Sequence, residues 1–174
     1  MATSLYDLSV ASYLQTVAAI GGVLERGAKH CNETGSDPNA LVGVRLFDDM
    51  APLSFQILSV AHHSVGALAG VKSGAFYPPA TPAPGDYAGL QKMLVEAEAA
   101  LKALAPDEVN SWEGKDVTFH LGEMKMPFTA EGFILSFSLP NFYFHATTAY
   151  DILRMKGVPL GKRNFMGVPR MKAA

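Results

Sequence analysis

The chain has 174 residues, 49% of them hydrophobic, and a formal net charge of -2. This length and apolar fraction suit a single domain, residues 1–174, while the weakly acidic balance and the lack of a basic stripe argue against a nucleic-acid partner. The single cysteine, Cys31, excludes an intramolecular disulfide. The single cysteine and the lack of a signal-peptide pattern at the N-terminus together favour a reducing, cytoplasmic location.

Two long helices, and a short helical piece that starts at Pro38 and Asn39, are predicted in the first seventy residues. Ser4 can cap the first one, in which apolar residues recur at three- and four-residue steps as far as Leu24. A polar connection over residues 29–38 is expected to follow it. Pro52 suits the first turn of a longer helix that runs to about Gly70, because the missing N–H of proline is harmless there.

The middle of the chain changes character twice. The segment Tyr77–Gly85 holds four prolines, which predicts an extended crossover on the surface. A third helix is expected over about Asp86–Leu104. From Val117 to Phe128 polar and apolar residues alternate around Gly122, and this pattern predicts a short β-hairpin rather than a sheet.

The last long helix is predicted to begin after Thr129, its cap, and to end at Gly157. Pro140 should kink it near Ser136, since proline cannot donate one of the backbone hydrogen bonds. The apolar stretch Phe133–Tyr150 is interrupted by polar residues and a proline, so it indicates a buried helix and no membrane span. The whole pattern predicts an all-α, up-and-down helical bundle with a short hairpin before the last helix.

Four polar side chains fall on or beside the apolar face of this last helix. With about 100° between successive residues, Ser138, Asn141, His145 and Thr148 lie in the stripe that should face the core. A buried polar group without a hydrogen bond costs about 1–3 kcal/mol, so these side chains need partners. Two interpretations remain open: a hydrogen-bonded core network beside the kink, or a functional site.

The second predicted helix carries adjacent histidines, His62 and His63, on opposite flanks of its apolar face. Periodicity does not choose between them. His63 shares a heptad line with Gln56, which favours His63 slightly as the inner residue, and either one could instead lie at the surface. We expect His30, in a loop, and His120, in the hairpin, to be ordinary exposed residues.

Three segments taken together resemble a known superfamily. They are Asp49–Leu53, with the sequence DMAPL; Leu139–Arg154, which begins LPNFYFH; and residues 157–167, which contain GKRNF. They resemble a branch of unknown function within the DinB/YfiT-like metalloenzyme superfamily, over nearly the whole chain. The resemblance implies a four-helix bundle of up-down-down-up topology, often dimeric.

The better known members of that superfamily hold zinc or nickel with three histidines, one on the second helix and a pair four residues apart on the last. The resemblance places His145 at the second position of that pair and Asn141 at the first. An amide oxygen is a poor ligand for zinc or nickel. A site of His63 (or His62), His145 and Asn141 would therefore be a weakened triad.

Three kinds of function follow. The first is a divalent-metal-dependent enzyme, of hydrolase or thiol-transferase type, in which the metal activates water or a thiol. The second is a non-catalytic protein that binds a small organic molecule between its helices. Three polar side chains would line that pocket: Tyr13, Ser138 and Thr148. The third is a structural homodimer joined through the aromatic run Phe142–Phe144. No membrane partner is expected for any of them.

Overall fold

The computed structural model describes residues 3–172, which form long helices and one small sheet. The α-helices are α1 (Leu5–Leu8), α2 (Val10–Thr34), α3 (Asn39–Val42), α4 (Leu53–Ala61), α5 (Ala67–Ser73), α6 (Tyr87–Lys102), α7 (Pro106–Asn110), α8 (Ala130–Phe133), α9 (Leu139–Met155) and α10 (Lys162–Met166). Two π-helical turns are π1 (His62–Gly66) and π2 (Ile134–Ser138). The strands are β1 (Ala75–Phe76), β2 (Asp116–Leu121) and β3 (Met124–Thr129).

Four long helical segments build the core. The first is α2, the second is the continuous run α4–π1–α5, the third is α6, and the fourth is the continuous run α8–π2–α9. α2 packs against α6 and α9, and α4 packs against the same two helices. Large side chains without solvent contact fill the space between them: Tyr13, Ile20, Leu24, Leu53, Ile57, Leu68, Leu90, Leu94, Leu101, Phe133 and Phe142. The predicted helical core is thereby confirmed.

The helix ends follow simple capping chemistry. The Asp86 carboxylate accepts the N–H of Gly89 at 2.6 Å, and the Thr129 hydroxyl caps α8 in the same way. The first long helix differs from its prediction, because residues 29–34 are helical and the helix ends at Gly35, with φ 69°. The polar residues of this segment lie on the solvent-facing side of the helix. Their polarity therefore indicated exposure and not a loop.

The predicted hairpin is present, but it belongs to a three-stranded sheet. β2 and β3 pair antiparallel, with Leu121 opposite Met124. β1 pairs parallel with β2, with Ala75 opposite Thr118. The prediction of an all-α chain with a hairpin and no sheet was wrong on this point, because a strand of two residues is too short to display an alternating pattern.

Residues 77–86 between β1 and α6 contain no helix or strand, as their prolines predicted. By length and composition, the one described helical stretch that could cross a membrane is Leu5–Thr34, not the 133–150 segment considered from the sequence. Half of its apolar window is buried inside the protein, as in the core helix of a bundle.

Candidate functional site

The turn π1 places the two adjacent histidines on different surfaces. A π turn closes its hydrogen bonds five residues apart, which shifts the direction of the side chains that follow. The His63 ring lies against His145 of α9, with ring centroids 5.8 Å apart and planes 14° apart. The His62 ring stacks on Phe76 at 4.5 Å, and its Nε2 lies 2.8 Å from the carbonyl oxygen of Tyr77. His63 is therefore the histidine that meets the fourth long helix.

The second π turn meets the first through Ser138. The buried hydroxyl of Ser138 donates to the carbonyl oxygen of His63 at 2.6 Å. The Tyr13 hydroxyl lies 2.6 Å from Ser138 Oγ and acts as the donor there, because Ser138 already uses its own proton. Burial raises the pKa of the Tyr13 hydroxyl. These groups form a buried chain of hydrogen bonds that joins the first, second and fourth long helices.

Two other polar residues of the predicted stripe, Asn141 and Thr148, bond to their own helix. The Asn141 amide nitrogen and the Thr148 hydroxyl each donate to the carbonyl oxygen four positions earlier, at 2.7 and 2.8 Å. The hydroxyls of Tyr13, Ser138 and Thr148 thus all have protein partners. A ligand pocket lined by these three residues stays a prediction.

Gln56 fixes the tautomer of His145. Its buried amide nitrogen donates to the carbonyl oxygen of Ala51 at 2.8 Å, which turns Oε1 toward His145, 2.7 Å from Nδ1. An amide oxygen only accepts, so Nδ1 of His145 carries the proton and Nε2 is a bare acceptor. In the sequence, Gln56 stood out only through the heptad line that it shares with His63.

His63 has the opposite arrangement. Within residues 3–172, its Nδ1 is the one buried side-chain nitrogen or oxygen that lacks a hydrogen-bond partner. Buried N–H groups without an acceptor are rarer than bare acceptors, so the ring proton belongs on Nε2, which is not enclosed in this way. His63 therefore presents an N–H donor, beside the bare acceptor of His145.

Burial keeps both imidazoles neutral at ordinary pH. Burial and, to a smaller extent, the neighbouring His62 and His145 rings lower the pKa of His63 to about 3. Burial also lowers the pKa of His145 to about 4. Neutral imidazoles bind through hydrogen bonds or lone pairs and attract neither anions nor cations by net charge.

These depressed pKa values make stability depend on pH. An unfolded histidine titrates near pH 6.5, so the unfolded chain binds more protons than the folded chain from about pH 6.5 down to about pH 3, the pKa of folded His63. The free energy of unfolding should therefore fall as the pH drops through that window. Urea denaturation across the window measures this, and the fall should be shallower in His145→Gln.

His120→Gln is the matched control for that experiment, because the His120 ring stacks on Tyr77, outside the pair. This control should keep the wild-type pH dependence. If His145→Gln has the same pH dependence as wild type, His145 titrates normally and the assignment of a buried neutral ring is wrong.

The donor set of this site does not fit a zinc or nickel triad. The described residues contain no group of three His, Cys, Asp or Glu side chains arranged to hold a metal ion. Asn141 turns its amide nitrogen to its own helix, and its oxygen is a weak ligand for these metals. A metal on Nε2 of His63 would also move the ring proton to the enclosed Nδ1, which has no acceptor. The triad of His63, His145 and Asn141 stays a prediction that this donor set does not favour.

Two exposed aromatic rings flank His145. Phe55 is 39% exposed, with its ring centroid 5.9 Å from that of His145, and Phe144 is 56% exposed, at 5.3 Å. Phe142, in contrast, is fully buried, so the aromatic run proposed for a dimer face is divided between the core and the surface. Tyr143 and Phe144 remain available at the surface, and the homodimer stays a prediction.

A separate cleft of about 760 Å³ opens beside His62. Its walls come from the second long helix, from α6 and from the proline-rich segment after β1. His62 lines this cleft, whereas His63 and His145 do not. Of the two neighbouring histidines of π1, His62 therefore faces this cleft and His63 faces His145 of α9.

The other two histidines are less exposed than the sequence predicted. His30 lies within α2 and is half-buried. His120 is half-buried as well, because its ring stacks on Tyr77 with centroids 4.7 Å apart. The expectation of a loop position for His30 was wrong for the same reason as the early end predicted for the first helix.

Comparison with known proteins agrees with this architecture. Residues 5–166 match a family described as a domain of unknown function, DUF1993. The chain is also similar to the crystal structure of a DinB family member protein from Shewanella denitrificans, with a TM-score of 0.81 and 21% identity over 98% of this chain and 96% of that one. At that identity the similarity concerns the fold. No curated protein matches the chain. The chain belongs to the DUF1993 family and has the DinB-like fold that its motifs predicted.

Proposed function

We propose that the protein binds a small organic molecule at the His63–His145 pair and that this site needs no zinc or nickel. One observation carries the proposal: Oε1 of Gln56 lies 2.7 Å from Nδ1 of His145, while Nδ1 of the adjacent His63 is enclosed without a partner. These contacts assign opposite tautomers to the two neutral imidazoles, which puts an N–H donor beside a bare nitrogen acceptor. Such a pair is complementary to a group that both accepts and donates a hydrogen bond. Hydroxyl and primary amide groups have this property.

The surroundings of the pair narrow the ligand class. Neither imidazole is charged at neutral pH, so a charged ligand would lose hydration without gaining an opposite charge. The exposed rings of Phe55 and Phe144 next to His145 offer an apolar surface. The best match is an uncharged molecule with an apolar ring and an amide or hydroxyl head.

We further infer that the four long helices run up-down-down-up. Three contacts support this: Gly27 with Tyr87, Tyr13 with Ser138, and Gln56 with His145. The first contact joins the end of α2 to the start of α6, and the second joins early parts of the first and fourth helices. Along the second helix from Gln56 to His63, the contacts run backwards along the fourth from His145 to Ser138, as antiparallel helices require.

Long-range nitrogen NMR of the imidazole rings, followed by titration with benzamide, tests the proposed function. We expect the neutral His63 ring to be protonated at Nε2 and the neutral His145 ring at Nδ1. Benzamide should shift the resonances of both rings, because its amide can donate to one ring and accept from the other. Benzoate and benzylammonium, which carry a charge, should bind more weakly.

His145→Gln should lose the response to benzamide, while His120→Gln keeps it. Identical tautomers in the two rings would contradict the proposal. So would stoichiometric zinc or nickel in protein purified without an affinity tag, as measured by elemental analysis, since the metal interpretation requires both rings as lone-pair donors.

A further inference from the structure

The cleft beside His62 has the form of a slot between two helices. Small and apolar side chains along the second long helix and α6 form its two sides: Ala61, Val65, Ala69, Met93, Ala97 and Ala100. The segment 77–81 also lines the cleft. A volume of about 760 Å³ lies within the range of small-molecule sites, roughly 300–1,000 Å³.

His62 offers one bare acceptor to this slot. Its Nε2 donates to the carbonyl oxygen of Tyr77 at 2.8 Å, because a carbonyl can only accept, so Nε2 carries the ring proton. Burial lowers the pKa of His62, although the bond to Tyr77 raises it. The neutral ring therefore keeps its lone pair on Nδ1. The Phe76 ring, stacked at 4.5 Å, holds the imidazole in this orientation.

Gly66 keeps that lone pair uncovered. A Cβ atom at Gly66 would lie 3.0 Å from Nδ1 of His62. Gly66 is the last residue of π1, but its φ of -62° is right-handed, so its conformation does not require glycine. Glycine inside a helix is less favourable than alanine. What glycine alone provides at this position is open space next to the His62 nitrogen.

The charges around the slot favour a hydrogen-bond donor. None of the described lining residues is a lysine or an arginine, and the one charged side chain is the exposed carboxylate of Glu96. Oε1 of Glu96 lies 3.7 Å from Nζ of Lys92 in a solvent-exposed ion pair. A ligand carboxylate would meet a second carboxylate and a bare nitrogen acceptor, whereas a hydroxyl can donate to that nitrogen.

We propose that this slot is a second ligand site, distinct from the His63–His145 pair, for apolar molecules that carry a hydroxyl group. The hydroxyl donates to Nδ1 of His62, and the apolar part lies between the second long helix and α6.

Isothermal titration calorimetry with three matched probes tests the site: para-butylphenol, butylbenzene and para-butylbenzoate. In the His145→Gln variant, whose histidine pair cannot bind it, the phenol should bind with one molecule per chain, in this slot. Butylbenzene should bind about five- to tenfold more weakly, the effect of one lost hydrogen bond. The benzoate should bind most weakly of the three. Absent phenol binding, or a benzoate that binds as tightly as the phenol, would overturn the proposal.

Two pairs of variants locate the binding. Gly66→Ala should reduce phenol affinity to the level of butylbenzene, whereas Gly21→Ala, a helical glycine with no atom within 4 Å of its added Cβ, should not. Ala100→Leu should weaken both neutral probes, and Ala99→Leu, one residue away and outside the slot, should weaken neither. Equal behaviour within both pairs would overturn the site.

The His145→Gln variant separates the two sites. It should leave the affinity of the slot for the phenol unchanged while it removes the benzamide response of the histidine pair. If the variant lost phenol binding, the phenol would occupy the pair instead of the slot, and the second site would be refuted.

Discussion

Replacing Ser138 with alanine should lower the free energy of unfolding by about 2–4 kcal/mol, far more than one surface hydrogen bond is worth. Ser138 connects two otherwise unrelated groups, accepting from the Tyr13 hydroxyl and donating to the His63 carbonyl oxygen. The substitution leaves both groups buried without a partner. Urea denaturation followed by circular dichroism measures the loss.

Tyr13→Phe is the matched comparison for that variant. It removes a hydroxyl and leaves the bond from Ser138 to His63 intact, so it should cost only about 1 kcal/mol. The double variant has no Tyr13 hydroxyl that could be left buried without a partner. Its total loss of stability should therefore be smaller than the sum of the two single losses. Additive losses, or a Ser138→Ala variant as stable as wild type, would show that the buried chain does not stabilise the bundle.

Gly27→Ala should destabilise the protein by about 2 kcal/mol, although alanine is the better helix former by about 1 kcal/mol. The added Cβ would overlap the Tyr87 hydroxyl oxygen and lie 3.3 Å from Cζ of that ring. Tyr87 cannot move away freely, because its hydroxyl donates to the carbonyl oxygen of Leu24 at 2.8 Å. Thermal and urea denaturation both report the change.

A second substitution tests whether the overlap with the Tyr87 hydroxyl causes the loss of stability in Gly27→Ala. Tyr87→Phe removes the overlapping oxygen, so Gly27→Ala should be much less harmful, or even favourable, when it is introduced into that background. Gly21→Ala in the same helix meets no atom within 4 Å and should stabilise by about 0.5–1 kcal/mol. A Gly27→Ala variant that behaves like Gly21→Ala would mean that α2 and α6 can separate at little cost.

Helical periodicity was informative wherever the helix keeps its ordinary pitch. Leu90, Leu94 and Leu101 of α6 follow the three- and four-residue spacing of an inner helix face, and all three are buried. The same spacing applied to the last helix puts Leu135 on its inner face, but the Leu135 side chain is 48% exposed. It lies within π2, where an assumed step of about 100° per residue no longer describes the direction of the side chains.

The same limit explains the histidines. His62 and His63 lie at the start of π1, so a helical wheel could not say which one faces the fourth helix. The partner that fixes the tautomer of His145 is Gln56, 89 residues away in the chain. This pairing depends on how the second and fourth helices pack against each other. The spacing of residues within one helix does not predict that packing. The sequence nevertheless placed His145 at the core-facing side, because α9 beyond π2 is regular.

Each π turn contains one residue more than an α-helix of the same span. Removal of that residue from π1 would turn everything before it by about 100° relative to everything after it, with almost no change in composition. The contact between the His63 and His145 rings and the hydrogen bond from His62 to Tyr77 would then both be lost. Helix length, counted to a single residue, is thus as much a determinant of both sites as the identity of their side chains.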